Sequence, residues 1–106
     1  MQTQRIIKEV SGMLNIPPVG RQILLTLSSH RKGLFLKEIV RKTKRSERAI
    51  KHNLKKLHQF GLIRRKVVRT EKGKTAHIYH FQVRDFLKSA RLVLLKRMKR
   101  LRELEG

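Results

Sequence analysis

A mainly α fold carrying one small β-hairpin (α+β) is predicted by three observations. Apolar residues recur at helical spacing in successive stretches of the chain. Two runs of strand character, "LIRRKVVRT" and "TAHIYHFQV", flank the turn "EKGK". The chain has 106 residues with no low-complexity linker and no internal repeat, which suits one small domain over residues 1–106.

The elements follow in order. Residues 3–14 place Ile6, Ile7, Val10, Met13 and Leu14 on one helical face. "NIPP" ends that helix, because proline disfavours a helical conformation in the residue before it. Pro18 suits the start of the next helix, which runs to about Ser29 with Val19, Ile23, Leu24 and Leu27 as its stripe. "SSHRKG" connects to "LFL", a very short strand, and "LKEIVRKT" forms a short helix burying Ile39 and Val40. After the turn "KRS", Ser46 is the N-cap of a helix reaching about Phe60, with Glu47 at the positive end of its dipole. Gly61 is its left-handed C′ residue. Beyond the hairpin, a long helix runs from about Asp85 to Leu104.

A short helix, a tight turn, a longer helix and a hairpin make a helix-turn-helix with a wing. The expected subdivision is N-terminal helices over 3–33, helix-turn-helix and wing over 34–83, and a C-terminal dimerisation helix over 84–106.

Composition restricts the partner. The net charge is +21, from 28 basic and 7 acidic residues, which is costly in self-repulsion and points to a polyanion. Nucleic acid ranks first and an anionic membrane surface second. There are no cysteines, so disulfides, thiolate metal sites and cysteine nucleophiles are excluded. No apolar run approaches membrane-spanning length, and "MQTQRIIKEV" lacks a signal-peptide core. The expected location is intracellular: the cytoplasm, in association with the nucleoid, or a host cytoplasm if a virus encodes the chain.

The run "LKEIVRKTKRSERAIKHNLKKLHQFGLIRRKVV…EKGKTAHIYHF" resembles the winged helix-turn-helix domains of prokaryotic and archaeal transcriptional regulators of the broad MarR/ArsR-like group. Its most specific piece is S-x-x-x-I-x-x-x-L-x-x-L-x-x-x-G-L-I, from Ser46 to Ile63. The resemblance covers about residues 34–83, and the flanking helices fit only in position and amphipathicity. It implies a DNA-binding regulator, usually dimeric, whose recognition helix is the one starting after Ser46.

Helical geometry puts Ile50, Leu54 and Leu57 on the core face of that helix, with Ser46 at its edge. The opposite face holds Arg48, His52, Lys55 and Gln59, flanked by Lys51 and Lys56. Arg48 and His52 lie in the half where recognition helices contact bases, and a guanidinium can bridge O6 and N7 of guanine. Lys51, Lys55 and Lys56 suit phosphates, and Arg45 and Ser46 adjoin them at the start of the helix. The plain alternative is a solvated basic face. Against it, residues 41–74 hold 14 Lys or Arg and only two acids, Glu47 and Glu71, across both helix and wing. In the wing, Arg69, Lys72 and Lys74 lie near the tip and suit a minor-groove or phosphate contact. Arg64 and Lys66 fit edge-strand protection equally well.

The last helix carries Phe86, Leu87, Ala90, Val93, Leu94, Met98, Leu101 and Leu104, with Leu87, Leu94 and Leu101 seven apart and Arg97 interrupting. One small domain cannot bury so much apolar surface, so these residues are the expected homodimer interface, with the N-terminal helix packed beside it. A helix folded back on its own domain and a membrane-surface helix are the alternatives.

Catalytic and metal chemistry find no pattern. His77 and His80 point to opposite faces of one strand, His52 and His58 to different faces of one helix, and no carboxylate cluster, phosphate loop or nucleophile elbow is present. No enzyme, metal or cofactor is expected, and no effector pocket is signalled. The expected function is a dimeric, sequence-specific regulator on double-stranded DNA. The alternative is a weakly specific architectural protein, since the charge extends into the outer helices. RNA binding is a third class, disfavoured by only five aromatic residues.

Overall fold

The computed structural model describes residues 2–106. Five helices and three short strands follow in the order α1 (Thr3–Leu14), α2 (Pro18–Ser28), β1 (Leu34–Phe35), α3 (Leu36–Thr43), α4 (Glu47–Gln59), β2 (Arg64–Arg69), β3 (Thr75–His80) and α5 (Val83–Glu105). This is the α+β winged helix-turn-helix arrangement. α2, α3 and α4 pack on one another, and the sheet, in the order β1-β3-β2, closes one side.

Local chemistry sets the boundaries. Pro18 opens α2 from the first turn, where its missing N–H is not needed. Glu38 accepts the Phe35 amide hydrogen at 3.0 Å and so satisfies the start of α3. Lys44 turns the chain left-handed after α3, at φ 57°. The Ser46 hydroxyl then accepts the Ala49 amide hydrogen at 3.1 Å, which caps α4. Gly61 ends α4 at φ 73°, a conformation that a side chain would strain. Gly33 is still more constrained. It has φ 84°, and a Cβ there would come within 2.7 Å of the Tyr79 carbonyl oxygen, where β1 meets β3.

The strand pair β2–β3 is antiparallel, from Arg64 opposite His80 to Arg69 opposite Thr75. Residues 70–74 close it: the Thr70 amide donates to Lys74 O at 2.8 Å, and the Gly73 amide to Thr70 O at 2.9 Å. β3 is thus the central strand, and β2 is the outer edge that carries the cations.

The core joins all five helices. Ile7, Val10 and Leu14 meet Ile23, Leu24 and Leu27, together with Ile39, Ile50, Leu54, Leu57, Leu62, Ile63 and Phe86. Burying such aliphatic and aromatic side chains supplies about 1.5–3 kcal/mol each relative to exposure. α5 begins against this core and then leaves it. Its outer half stays exposed, and the molecule reaches 57 Å along its longest axis.

Two residues expected at a dimer surface lie elsewhere. Phe86 is fully buried and Ala90 nearly so within the chain's own core. The reason is helical phase. Phe86 and Ala90, one turn apart, face inward on α5, with Val93 and Leu94 half-buried behind them. Leu87, Leu92, Leu95, Met98, Leu101 and Leu104 remain exposed, Leu101 at 59% and Leu104 at 67%. Arg97 does more than interrupt a seam, because it turns back onto the end of α1.

Candidate nucleic-acid interface

α4 presents a cationic face because its core face is fixed. Ile50, Asn53, Leu54 and Leu57 are buried. Asn53 satisfies its amide by donating to Ala49 O at 2.8 Å. With those four held inward, Arg48, Lys51, His52, Lys55, Lys56 and Gln59 are all exposed. Arg45 and Ser46 are exposed at the start of the same helix. Glu47 is the one acid on α4, and it sits in the first turn where the helix dipole favours it.

The hairpin stands beside this helix, and register divides its cations between two faces. Arg65, Val67 and Arg69 share one face with His77 and Tyr79; Arg64, Lys66 and Val68 share the other with Ile78 and His80. Arg64 is engaged away from α4, since its Nε lies 2.7 Å from the Asp85 carboxylate on α5. Arg65 instead lines a groove of about 800 Å³ between α3, α4 and the hairpin. Lys51, Lys55, His58 and His77 line the same groove, as do Lys37, Glu38 and Glu47. Burial, then the Arg65 guanidinium and His77, hold His58 below the ordinary histidine value. Arg69, Lys72 and Lys74 are exposed at or near the tip, outside the groove.

The structure thus gathers Lys51 and Lys55 with a cation not among the sequence candidates, Arg65. Strand alternation is the signal that could have separated Arg65 from Arg64, once the register with β3 was known. Lys37 was also missed, because its place beside α4 depends on how α3 packs.

Among the described residues, no cluster of three potential metal ligands occurs. Their helices include none long and apolar enough to cross a membrane.

The fold is shared with solved transcription regulators. A possible transcriptional regulator from Methanosarcina mazei Go1 superposes with a TM-score of 0.72, at 16% identity, over 93% of this chain and 86% of its own. The F27L mutant of MepR from S. aureus, bound to an oligodeoxyribonucleotide, gives a TM-score of 0.61 at 15% identity over 93% of this chain and 72% of its own. The transcriptional regulator PA3341 gives 0.58 at 22% identity over 99% and 78%. At these identities the likeness is one of fold, and at that level it agrees with the winged-helix resemblance carried by residues 34–83. No family model matches the chain, and no curated protein matches its sequence.

Proposed function

We propose that the chain is a dimeric regulator that binds double-stranded DNA in a sequence-specific manner. The observation that carries this is the exposed face of α4, which carries five cationic or imidazole side chains, Arg48, Lys51, His52, Lys55 and Lys56, together with Gln59. α4 enters the major groove, with Arg48 and His52 at base edges and Lys51, Lys55 and Lys56 on phosphates. Arg69, Lys72 and Lys74 of the wing reach the backbone or the minor groove. MepR, which shares the fold, has been captured with an oligodeoxyribonucleotide, and that supports DNA as the partner.

A second copy covers the exposed outer half of α5 with the neighbouring face of α1. Met13 on α1 and Leu87, Leu95 and Met98 on α5 line one apolar groove there. In this dimer two α4 helices reach successive major grooves, about 34 Å apart. The role is regulatory and non-enzymatic, a reading supported by the shared fold with a possible transcriptional regulator and with the transcriptional regulator PA3341.

The test is binding to duplex DNA as salt is raised. Affinity should fall linearly on a logarithmic scale, with a slope of about −0.9 for each phosphate neutralised. Absence of duplex binding at low salt would remove the proposal.

The charge of +21 favours a second reading, an architectural protein with weak sequence preference. On that reading, binding is salt-dependent but nearly the same for every sequence.

A further inference from the structure

The turn between α3 and α4 holds one arginine in a fixed direction, and the residue that holds it comes from α2. Thr43, the last residue of α3, is buried. Its hydroxyl donates to Ile39 O at 2.8 Å and accepts the Arg45 amide hydrogen at 3.4 Å. Gln22 completes the arrangement from across the fold. Its Nε2 donates to Thr43 O at 3.1 Å, and its Oε1 accepts from Arg45 Nε at 2.9 Å. Both contacts require the same orientation of the amide, because a flipped amide would set oxygen against a carbonyl and NH2 against Nε–H.

With Nε engaged, the guanidinium of Arg45 is held at one edge. Its two terminal nitrogens have no hydrogen-bond or ion-pair partner among the described residues. Arg45 is exposed and immediately precedes Ser46, the cap of α4. A guanidinium presents its donors as a planar fork that matches two oxygens of a phosphate. Holding that fork before the ligand arrives removes rotamer freedom that binding would otherwise cost.

We propose that Gln22 is a positioning residue for DNA: it presets Arg45 as a clamp on one backbone phosphate at the start of α4. The proposal rests on the DNA-binding function above. A phosphate contact carries no base information, so Gln22 acts on affinity and not on sequence preference. Gln22 makes no part of the exposed α4 face, and its effect passes entirely through Arg45.

The test is a mutant cycle read by duplex affinity, with thermal melting of each free protein alongside. Gln22→Met keeps the length of the side chain and removes both hydrogen bonds. It should weaken binding about fivefold in the wild-type background. Arg45→Lys keeps the charge and removes Nε–H, so in that background Gln22→Met should change affinity by less than about twofold. An equal loss in both backgrounds would show that Gln22 acts on the turn as a whole, and no loss in either would show that the held guanidinium is idle; each overturns the proposal. Arg45 is exposed, so Arg45→Lys alone gives a further check if Gln22→Met fails to fold. Wild-type affinity in Arg45→Lys would also overturn the proposal. A wild-type protein that does not bind duplex at all identifies failure of the underlying function instead.

Discussion

Arg97 of α5 donates to the last carbonyls of α1, from Nη2 to Leu14 O at 3.3 Å and from Nη1 to Met13 O at 3.5 Å. α1 has no basic residue in its own last turn and ends on left-handed Asn15, so this distant cation supplies the charge that a helix C-terminus favours. Arg97→Ala should therefore lower stability by about 1 kcal/mol, visible as a fall in Tm of roughly 4–8 °C. An unchanged Tm would show that the contact contributes nothing.

Ser46 separates stability from binding. Ser46→Ala removes the cap on Ala49 and should cost about 1 kcal/mol in denaturant unfolding. Ser46→Asp retains a cap but adds a negative charge beside Arg45 and Arg48. It should melt near wild type and bind duplex about tenfold more weakly. Equal affinity for Ser46→Asp and wild type would place the start of α4 away from DNA.

Protonation of His58, in the groove between α4 and the hairpin, should act on stability and on duplex binding with opposite signs. His58 is lowered from its ordinary value of 6.5 by burial, Arg65 and His77. Above that value both folded and unfolded states are neutral there. As pH falls, the unfolded chain takes the proton first, so stability decreases through 6.5 and on through the lowered folded value. Lys37, Lys51 and Lys55 also line this groove, and the acids there are Glu38 and Glu47. Phosphates entering the groove would favour the charged imidazole, so duplex affinity should rise as pH falls from about 7.5 to about 5.5. His58→Gln should flatten both trends. Unchanged slopes in that variant would place the linkage elsewhere.

Leu101 and Phe86 separate the outer and inner halves of α5. Leu101→Glu changes an exposed position; if the proposed dimer forms through α5, the wild type should sediment as a dimer and this variant as a folded monomer. Phe86→Glu should fail to fold, because it buries a carboxylate in the core. A Leu101→Glu protein that remains dimeric would move the interface off this face.

Sequence periodicity located every helix, because each buries a stripe against a shared core and so must repeat at helical spacing. Ser46 and Gly61 marked the limits of α4 for reasons local to the chain. The division of α5 was not legible. Phe86 and Leu87 are adjacent apolar residues, and only the crossing of α5 over α1 decides which turns inward. Gln22 was invisible for a similar reason: its partners Thr43 and Arg45 lie 21 and 23 residues away, and nothing in α2 marks it. Arg64 and Arg65 look alike in sequence, and the register of β2 with β3 sends them to Asp85 and to the groove respectively.

Whether the exposed face of α4 reads base sequence is decided at Arg48. The measurement is the ratio of affinities for duplex selected from a random pool and for random duplex, at physiological salt, in wild type and in Arg48→Ala. A sequence-reading α4 should give a wild-type ratio of roughly a thousand or more, reduced in Arg48→Ala by about 1–3 kcal/mol of discrimination while binding to random duplex persists. A wild-type ratio near one, or a ratio that Arg48→Ala leaves unchanged, would contradict it.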